Sequence, residues 1–310
     1  MPKTNSPIKV AFAFFSIYIV WGTTYLAVIF GLKGFPPFIL SACRFFTAGL
    51  IVFIFCTIKG EKLPAKSIIS VCIISGCLML IGGSGIIAWC EKYVSSGHAA
   101  TIMATTPFLF ILLDKKRWAS YFKNKLVIAG LVIGFLGLVL FVRSAATTVT
   151  TAADDTMLLI TNIVLLLSAV SWVLGSLYAK RKLVSSDSNM MTTSLQLIAA
   201  GVGCTVVAAF TSEFKEFSIS TIPVSAWGGL LYLIIFGSVI AYLAFTWLLS
   251  IRPPAVVSTH TYINPVVAVL LGWIIAGEKL THMQIVGLVI ILAGMLLVNL
   301  PKYITTKAGS

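Results

Sequence analysis

Residues 254–276 read PAVVSTHTYINPVVAVLLGWIIA, and residues 99–113 read AATIMATTPFLFILL. In both stretches a short polar run and a proline interrupt an apolar segment. Thr101 and Pro107 of the earlier stretch match Thr259 and Pro265 of the later one at a single, constant offset. A proline inside an apolar segment predicts a local interruption of a helix. The paired stretches therefore predict two copies of one helical pattern.

The composition around these stretches is that of an integral membrane protein. Of 310 residues, 59% are hydrophobic and only 10% are charged, and the mean hydropathy is +1.04. A soluble domain carries about 25% charged residues, because its surface faces water. The net charge of +13 comes from basic residues scattered between apolar runs, so no nucleic-acid partner is expected. The partner that the composition indicates is the lipid bilayer.

Apolar segments of about 20 residues, the length needed to cross a bilayer as a helix, recur along the chain. Their number and length predict an all-α polytopic membrane protein with ten transmembrane helices. The ten predicted spans are residues 10–30, 38–58, 68–90, 99–113, 126–142, 157–178, 190–210, 226–250, 254–276 and 283–300.

The basic residues between the spans predict the orientation of the chain. With ten spans, 16 of the 22 Lys and Arg residues lie on the side that holds both termini, and five lie on the other side. Arg44 alone lies within a span. Since basic residues are enriched in cytoplasmic loops, both termini are predicted to be cytoplasmic.

Further matches extend the repeat over the whole chain. The motif Gly22-Thr23-Thr24-Tyr25 matches Gly175-Ser176-Leu177-Tyr178. Arg44 matches Gln196, and Ala48-Gly49 matches Ala200-Gly201. Gly130 and Gly137 match Gly287 and Gly294. The chain thus divides into a first five-helix repeat, residues 1–148, and a second, residues 149–310, joined by a polar linker around 144–156. Five is an odd number, so the second repeat is inverted in the membrane. Inverted repeats are typical of transporters, with the binding site between them at mid-membrane.

At this level of detail the sequence resembles a known family, the EamA family of the drug/metabolite transporter superfamily. The resemblance rests on Trp21-Gly22-Thr23-Thr24-Tyr25, on Arg44-Phe45-Phe46-Thr47-Ala48-Gly49, and on Asn264-Pro265-Val266-Val267-Ala268 through Gly277-Glu278-Lys279. The first repeat has no counterpart of Gly277-Glu278. The resemblance implies a multi-pass protein of a bacterial inner membrane that transports a small-molecule substrate, in the direction of efflux. Amino acids and related metabolites are among the solutes of the family.

Aromatic residues in the first span are candidates for substrate binding. Tyr18, Trp21 and Tyr25 form a stripe along one helix face. Interfacial anchoring explains Trp21 poorly, because it lies near the middle of its span. Trp21 and Tyr25 therefore are predicted to line a cavity, with core packing as the alternative. Trp172 and Ser176 take the corresponding place in span 6.

The two proline-containing spans supply the second group of candidates. Pro107 and Pro265 are predicted to break their helices at matching positions and so to mark the binding site. His260 and Asn264, spaced i to i+4, share one face of span 9, and Thr106 takes the place of Asn264 in the first repeat. Substrate contact and hydrogen bonding to neighbouring helices are both open for these residues. His98, near the end of span 4, is expected at the membrane interface.

Arg44 is a candidate for gating, because a charged residue inside a span is costly unless it has a partner. Glu91 and Glu278, at the ends of spans 3 and 9, are the expected partners. Snorkelling of Arg44 to the membrane surface is the alternative. No acidic residue lies near the middle of a span, so His260 is the side chain expected to serve if transport is coupled to protons.

Other classes of protein fit the sequence less well. An intramembrane enzyme needs a buried dyad or metal cluster, and the chain has three His residues and no H-E-x-x-H motif. The six cysteines lie in or beside spans without a C-x-x-C pair, so neither a disulfide framework nor a metal site is expected, and no cofactor is predicted. A membrane receptor or scaffold stays as the alternative function. The oligomeric state is left open.

Overall fold

The computed structural model describes residues 6–118, 125–145, 155–183, 188–252, 254–277 and 281–307. All the regular secondary structure in these ranges is helical. The predicted boundary between the repeats, at residues 148 and 149, lies outside the described ranges, as does Glu278.

Five long helical segments form the first half of the chain. They are α1 (Pro7–Gly31), α2 (Pro37–Ile58), α3 (Lys66–Cys90), α4 (Ser96–Leu113) and α5 (Lys125–Ala145). Pro36 and Pro37 begin α2, where a proline fits because the first turn of a helix lacks acceptors for its N–H groups.

Five segments follow in the second half. They are α6 (Asp155–Lys182), α7 (Asn189–Phe210), α8 (Val224–Ile251), α9 (His260–Ala276) and α10 (His282–Lys307). A short helical turn, Pro254–Val257, precedes α9, and Glu213–Glu216 forms another between α7 and α8.

Seven of these helices are long and apolar enough to cross a membrane, counted over the described residues: α1 to α4 and α6 to α8. Their bounds agree with seven predicted spans to within a few residues. The other three predicted spans fall on α5, α9 and α10. In these helices the apolar stretches are shorter: Lys125–Gly137, Ile263–Ile275 and His282–Gly294. Membrane crossing by these three helices stays a prediction.

Helices α2 and α7 run antiparallel and pack closely at two glycines. A Cβ atom on Gly49 would lie 2.8 Å from the backbone nitrogen of Ile198, and one on Gly201 would lie 2.6 Å from that of Phe46. Any side chain at either glycine would push the two backbones apart. These are the glycines that the sequence comparison pairs between the two halves, so the equivalent helices of the halves meet each other.

The first turn of each helix in this pair is stabilised by a glutamate that lies just beyond the C-terminal end of the other helix. Glu213, three residues beyond the last residue of α7, accepts backbone hydrogen bonds from Phe38 and Ile39 at 3.0 Å. Glu61, three residues beyond the end of α2, accepts a 2.6 Å hydrogen bond from Ser188, whose hydroxyl in turn caps α7. The first-turn N–H groups of a helix lack acceptors within the helix, so both contacts stabilise helix ends. This reciprocal capping was not foreseen from the sequence.

We expect Glu213→Ala to destabilise the protein by about 1 kcal/mol, the usual cost of losing a helix cap. For a chain of this size the melting temperature should fall by about 1.5 °C. Lys215→Ala is the control, since Lys215 is exposed on the same short helix. Equal melting temperatures for the two variants would show that the Glu213 contact contributes nothing to stability.

Glycines also join α5 to α10. A Cβ atom on Gly294 would lie 2.7 Å from the carbonyl oxygen of Gly130 and would contact Gly134, and one on Gly137 would lie 2.7 Å from the backbone nitrogen of Ile291. The G-x-x-x-G pattern of Gly130 and Gly134, which indicates a close-packing face, therefore contacts another helix of the same chain.

Candidate functional site

A cavity of about 80 Å3 lies where helices of both halves meet. We call it the central cavity. Its walls come from α1, α2, α3 and α4 of the first half and from α6, α8 and α9 of the second. On this measure a single water needs about 10 to 15 Å3, so the volume suffices for several waters or a small solute. Aromatic and polar side chains line it together.

The aromatic part of the wall is built around Trp21 of α1, which is 8% exposed. Its indole ring contacts those of Trp172, Phe245 and His260, with ring centroids 5.5, 5.1 and 4.9 Å away. Its Nε1 donates a 3.0 Å hydrogen bond to the carbonyl oxygen of Gly237 in α8. Four helices are thereby joined at one side chain, and Trp21 both packs in the core and lines the cavity.

Three of the helices around the cavity contain π-helical segments in their middle parts, Ser16–Val20 in α1, Cys77–Gly85 in α3 and Leu233–Tyr242 in α8. The segments of α3 and α8 correspond in the two halves. A π-helical turn is wider than an α-helical one and is found frequently at functional sites. In α3 the glycines permit close contact with α6: a Cβ atom on Gly83 would lie 3.0 Å from the ring of Trp172.

Helix α4 is interrupted beside the cavity. It is helical from Ser96 to Met103 and again from Thr106 to Leu113. At the break, the hydroxyl of Thr105 donates to the carbonyl oxygen of Ile102 at 2.8 Å, and that of Thr106 donates to the carbonyl oxygen of Met103 at 2.5 Å. In lipid, a carbonyl released from the helix needs another partner. The hydroxyl of Thr106 supplies one to Met103, because Pro107, four residues further on, has no N–H, whereas the carbonyl of Ile102 also accepts the N–H of Thr105 at 3.0 Å.

The chain is interrupted in the same manner before α9, at Ser258 and Thr259. Thr259 Oγ1 donates to the carbonyl oxygen of Val256 at 2.6 Å, and Thr261 Oγ1 to that of Ser258 at 2.8 Å. Between them, Nδ1 of His260 lies 2.9 Å from the carbonyl oxygen of Val257. With Nδ1 as the donor, His260 is in the neutral tautomer whose Nε2 is an acceptor.

The two prolines do not mark these breaks equally, which corrects the sequence-based expectation. Pro107 lies in the first turn after the break in α4, where its missing N–H costs no hydrogen bond. Pro265 lies inside α9, six residues beyond Thr259, and the helix continues through it. The interruption in the second half thus comes about one turn earlier than the sequence match predicts. Polar side chains that bond back to the backbone, and not the proline, lie at this break.

Asn264 lines the cavity and also links α9 to α1. With its amide oriented to suit the surrounding carbonyls, Nδ2 lies 2.9 Å from the carbonyl oxygen of Tyr18, 3.2 Å from that of Ile17 and 3.0 Å from that of His260. This orientation is assigned from the hydrogen-bond network. Tyr18 and Ile17 belong to a π-helical turn of α1, Ser16–Val20. The amide nitrogen is thus occupied within the protein, and the oxygen is the atom suited to accept from a solute.

Arg44 lies in the cavity wall and is 7% exposed. Its Nε donates a 2.9 Å hydrogen bond to the hydroxyl of Ser238 in α8, and its guanidinium lies over the ring of Phe45, 5.1 Å from the centroid. Glu91, 5% exposed, lines the same cavity and interacts electrostatically with Arg44. Arg44 therefore turns into the protein and not toward the membrane surface.

A chain of hydrogen bonds lies behind another part of the wall, at Tyr242. The hydroxyl of Tyr242 donates to Oε1 of Gln196 at 2.9 Å, and Nε2 of Gln196 donates to the hydroxyl of Ser75 at 2.9 Å. Gln196 is the residue that the sequence comparison pairs with Arg44. Both residues bond to α8. Arg44 bonds to Ser238, and Gln196 bonds to Tyr242, which lies one turn further along the helix.

Six of the seven predicted substrate-binding residues line the central cavity: Trp21, Tyr25, Thr106, Trp172, His260 and Asn264. The seventh, Ser176, is buried elsewhere, and its hydroxyl donates to the carbonyl oxygen of Trp172 at 2.8 Å. Substrate contact by these residues stays a prediction.

Several lining residues were missed by sequence reasoning. Ser238 and Tyr242 are polar and spaced i to i+4 in an apolar span, and this pattern could have identified them, as it did His260 and Asn264. Glu91 was predicted as a partner of Arg44 at a helix end, and its place in the cavity wall was not anticipated. His98, expected at the interface, is only 3% exposed, and its Nε2 lies 2.6 Å from Oδ1 of Asn162 in α6.

Apolar helices of membrane-spanning length around a cavity with buried polar groups define a multi-pass membrane protein with an internal polar cavity, as expected for a transporter. The chain belongs to the EamA-like transporter family. The family's model matches it twice, at residues 8–143 and 159–300. The resemblance inferred from the short motifs is thereby confirmed over nearly the whole chain.

Individual relatives agree with this assignment. The uncharacterized inner membrane transporter YedA of Escherichia coli K12 is 31% identical over 294 residues, covering 94% of this chain and 91% of that protein. The uncharacterized transporter YyaM of Bacillus subtilis is 27% identical, with 96% of both chains covered. A solved crystal structure shares the fold with a TM-score of 0.67 at 17% identity, covering 96% of this chain and 99% of the other. The protein is thus a multi-pass transporter of the bacterial inner membrane type.

Proposed function

We propose that the protein is a secondary transporter that exports or exchanges small metabolites, amino acids or related compounds, by alternating access through the central cavity. The observation that carries the proposal is that one cavity takes its walls from helices of both halves. Rocking of one half against the other would then expose the same side chains to either side of the membrane.

The topology belongs to the same proposal. All ten helices cross the membrane, both termini are cytoplasmic, and residues 1–148 and 149–310 are inverted repeats. The antiparallel contacts of α2 with α7 and of α5 with α10 support inversion, because each pair joins equivalent helices of the two halves. Reciprocal capping by Glu61 and Glu213 supports it further.

The cavity wall suits a solute with an apolar body and a polar end. The rings of Trp21 and Trp172 offer apolar surface, and Thr106 and Asn264 offer oxygen atoms as acceptors. The π-helical segments of α3 and α8 give the helices around the solute a looser hydrogen-bond pattern, which suits elements that must rearrange during transport.

Glu91 and His260 line the cavity and can both change protonation state. The sequence indicated only His260 for proton coupling, so the buried carboxylate of Glu91 is a second candidate. Proton-coupled transport should respond to a pH gradient, whereas facilitated diffusion should not. If transport is coupled, the variant that loses this response, Glu91→Gln or His260→Gln, identifies the residue that carries the proton.

Counterflow in proteoliposomes tests the proposed function. Purified protein is reconstituted and assayed with labelled amino acids, nucleosides and small organic cations, with and without a pH gradient. We expect saturable exchange of one class of solute. If correctly folded protein exchanges none of them, transport of these metabolites is refuted, and the receptor or scaffold alternative gains support.

Asn264→Ala is expected to lower counterflow about tenfold, equivalent to losing roughly 1.4 kcal/mol of interaction. Asn162→Ala is the matched control, because Asn162 is also buried and hydrogen-bonded but does not line the cavity. Melting temperatures should fall in both variants. Equal flux in the two variants would place substrate binding elsewhere.

A further inference from the structure

A second cavity, of about 350 Å3, lies between the end of α6, the beginning of α7 and the end of α8. These helix ends are on the side of the membrane that is predicted to be cytoplasmic. Ser250, in the last turn of α8, lines the cavity and is exposed, whereas Gln196, two turns inside α7, lines it and is 1% exposed. The cavity therefore extends from the helix ends into the interior of the protein.

One layer of buried side chains separates the second cavity from the central cavity. Tyr242 lines the central cavity, and Gln196 and Met79 line the second one. The hydroxyl of Tyr242 donates a 2.9 Å hydrogen bond to Oε1 of Gln196 and lies 3.9 Å from Sδ of Met79. All three residues are at most 1% exposed. Passage between the cavities at this layer therefore requires these side chains to move apart.

The helices at this layer differ in how firmly they are held. Met79 and Tyr242 belong to the π-helical segments of α3 and α8. Conversion of a π-helical turn into an α-helical one turns the neighbouring side chains about the helix axis without unwinding the helix. Gln196 has little freedom, because a Cβ atom on Gly76 would lie only 2.8 Å from its Cα atom. Tyr242 is therefore the side of the contact that can move.

The match between the two halves of the chain supports a role for this contact. The sequence pairs Gln196 with Arg44, and each bonds to α8: Arg44 at Ser238, and Gln196 one turn nearer to the predicted cytoplasmic end. In the proposed inverted arrangement, equivalent residues lie toward opposite faces of the membrane. A gate at Gln196 on the inner side therefore has its counterpart in Arg44, the gating candidate on the outer side.

We propose that Tyr242 and Gln196 form the inner gate of the transport path, and that the second cavity is its cytoplasmic vestibule. The inference rests on the proposed transport function. Breaking the hydrogen bond between Tyr242 and Gln196 joins the vestibule to the central cavity. Re-forming the bond closes the central cavity to the cytoplasm, as alternating access requires before the outer side opens.

Labelling of introduced cysteines with a membrane-impermeant maleimide tests the gate without requiring flux. Thr246→Cys places a thiol in the second cavity, and Ser84→Cys places one in the central cavity. Inside-out membrane vesicles present the predicted cytoplasmic face to the reagent, and spheroplasts present the outer face. Peptide mass spectrometry follows the introduced thiol alone, so the six native cysteines stay in place. From the cytoplasmic face, we expect Thr246→Cys to be labelled much faster than Ser84→Cys.

Tyr242→Phe opens the gate in this assay with the smallest possible change, because it removes the hydroxyl and keeps the ring. The net contribution of one hydrogen bond shifts an equilibrium between two states by about fivefold. Labelling of Ser84→Cys from the cytoplasmic face should therefore become about fivefold faster, and that of Thr246→Cys should not change. Tyr232→Phe is the matched control, because Tyr232 lies on the same helix, outside both cavities, and its hydroxyl also bonds another helix, at Thr23.

Changing the acceptor gives an independent test of the same hydrogen bond. Gln196→Met removes the acceptor and keeps an unbranched side chain of similar length. It should accelerate labelling of Ser84→Cys as Tyr242→Phe does. Because both changes break one bond, the double variant should be labelled no faster than the faster single variant.

The outcomes separate the gate from the transport function. Equal labelling of Ser84→Cys in Tyr242→Phe and Tyr232→Phe would overturn the gate, and labelling of Thr246→Cys from the outer face alone would overturn the vestibule. Either result together with counterflow would refute this inference and retain transport. Faster labelling in Tyr242→Phe, in protein that exchanges none of the labelled solutes, would retain the gate and refute transport of those solutes.

Discussion

Trp21→Ala is expected to lower counterflow by at least about tenfold. The indole of Trp21 contacts three other rings and donates to the carbonyl oxygen of Gly237, so its loss removes a side chain that four helices share. Each aromatic contact contributes about 0.5 to 1.5 kcal/mol beyond the area it buries. Truncating a buried Trp to Ala costs about 3 to 5 kcal/mol of stability in well-packed cores, so the melting temperature should also fall.

A second variant separates binding from stability. Trp21→Phe retains an aromatic ring but loses the N–H donor and part of the indole volume, so it should cost less stability than Trp21→Ala and should stay folded. Trp227→Ala is the control for loss of an indole, because Trp227 is exposed on α8 and lies outside the cavity. We expect the flux of Trp227→Ala to be close to that of the unmodified protein. Unchanged flux in Trp21→Ala would show that the solute does not use the central cavity.

Arg44→Ala is expected to destabilise the protein by about 3 to 5 kcal/mol, the range seen when one member of a buried charged pair is removed. Its loss leaves Ser238 without the guanidinium donor and removes a positive charge that acts on the buried Glu91. Arg44→Lys keeps the charge but cannot reproduce the planar guanidinium. The loss of stability should therefore be smaller than in Arg44→Ala, about 1 kcal/mol. Thermal unfolding in detergent measures both, and counterflow measures the accompanying loss of transport.

A double-mutant cycle tests whether Glu91 is the charge that Arg44 balances. If it is, the Glu91→Gln change should cost less in the Arg44→Ala background than in the unmodified protein, with a coupling of about 0.5 to 3 kcal/mol. The control pair is Arg44→Ala with Glu213→Gln, because Glu213 bonds the start of α2 and does not line the cavity. Strict additivity of the Arg44 and Glu91 changes would refute their pairing.

The helices that are long and apolar enough to cross a membrane could be predicted from residue order alone, and in the described residues seven of the ten predicted spans are such helices. The span predicted at residues 38–58 is the helix Pro37–Ile58, and the one predicted at 190–210 is Asn189–Phe210. The reason is that the thickness of the bilayer sets the length of an apolar helix, which is a local property of the sequence. Membership of the transporter family could also be predicted from the sequence, because the motifs that indicate it are short stretches of neighbouring residues.

Six of the seven predicted binding residues also line one cavity, because a polar or aromatic side chain in the middle of an apolar span has few other places to lie. Ser176 does not, since its hydroxyl bonds the preceding turn of its own helix. Both outcomes are compatible with the same sequence pattern, so spacing along one helix could not distinguish them.

The tertiary structure alone decided which faces of the helices meet. The break before α9 lies at Ser258 and Thr259 and not at Pro265, and hydroxyl groups there bond carbonyl oxygens that also accept backbone N–H groups. Glu91 enters the cavity wall, and Gln196 connects Tyr242 to Ser75 across three helices. Such contacts depend on how each helix is rotated and how the helices cross. That rotation is set by close approaches such as those at Gly49 and Gly201, between residues far apart in the chain.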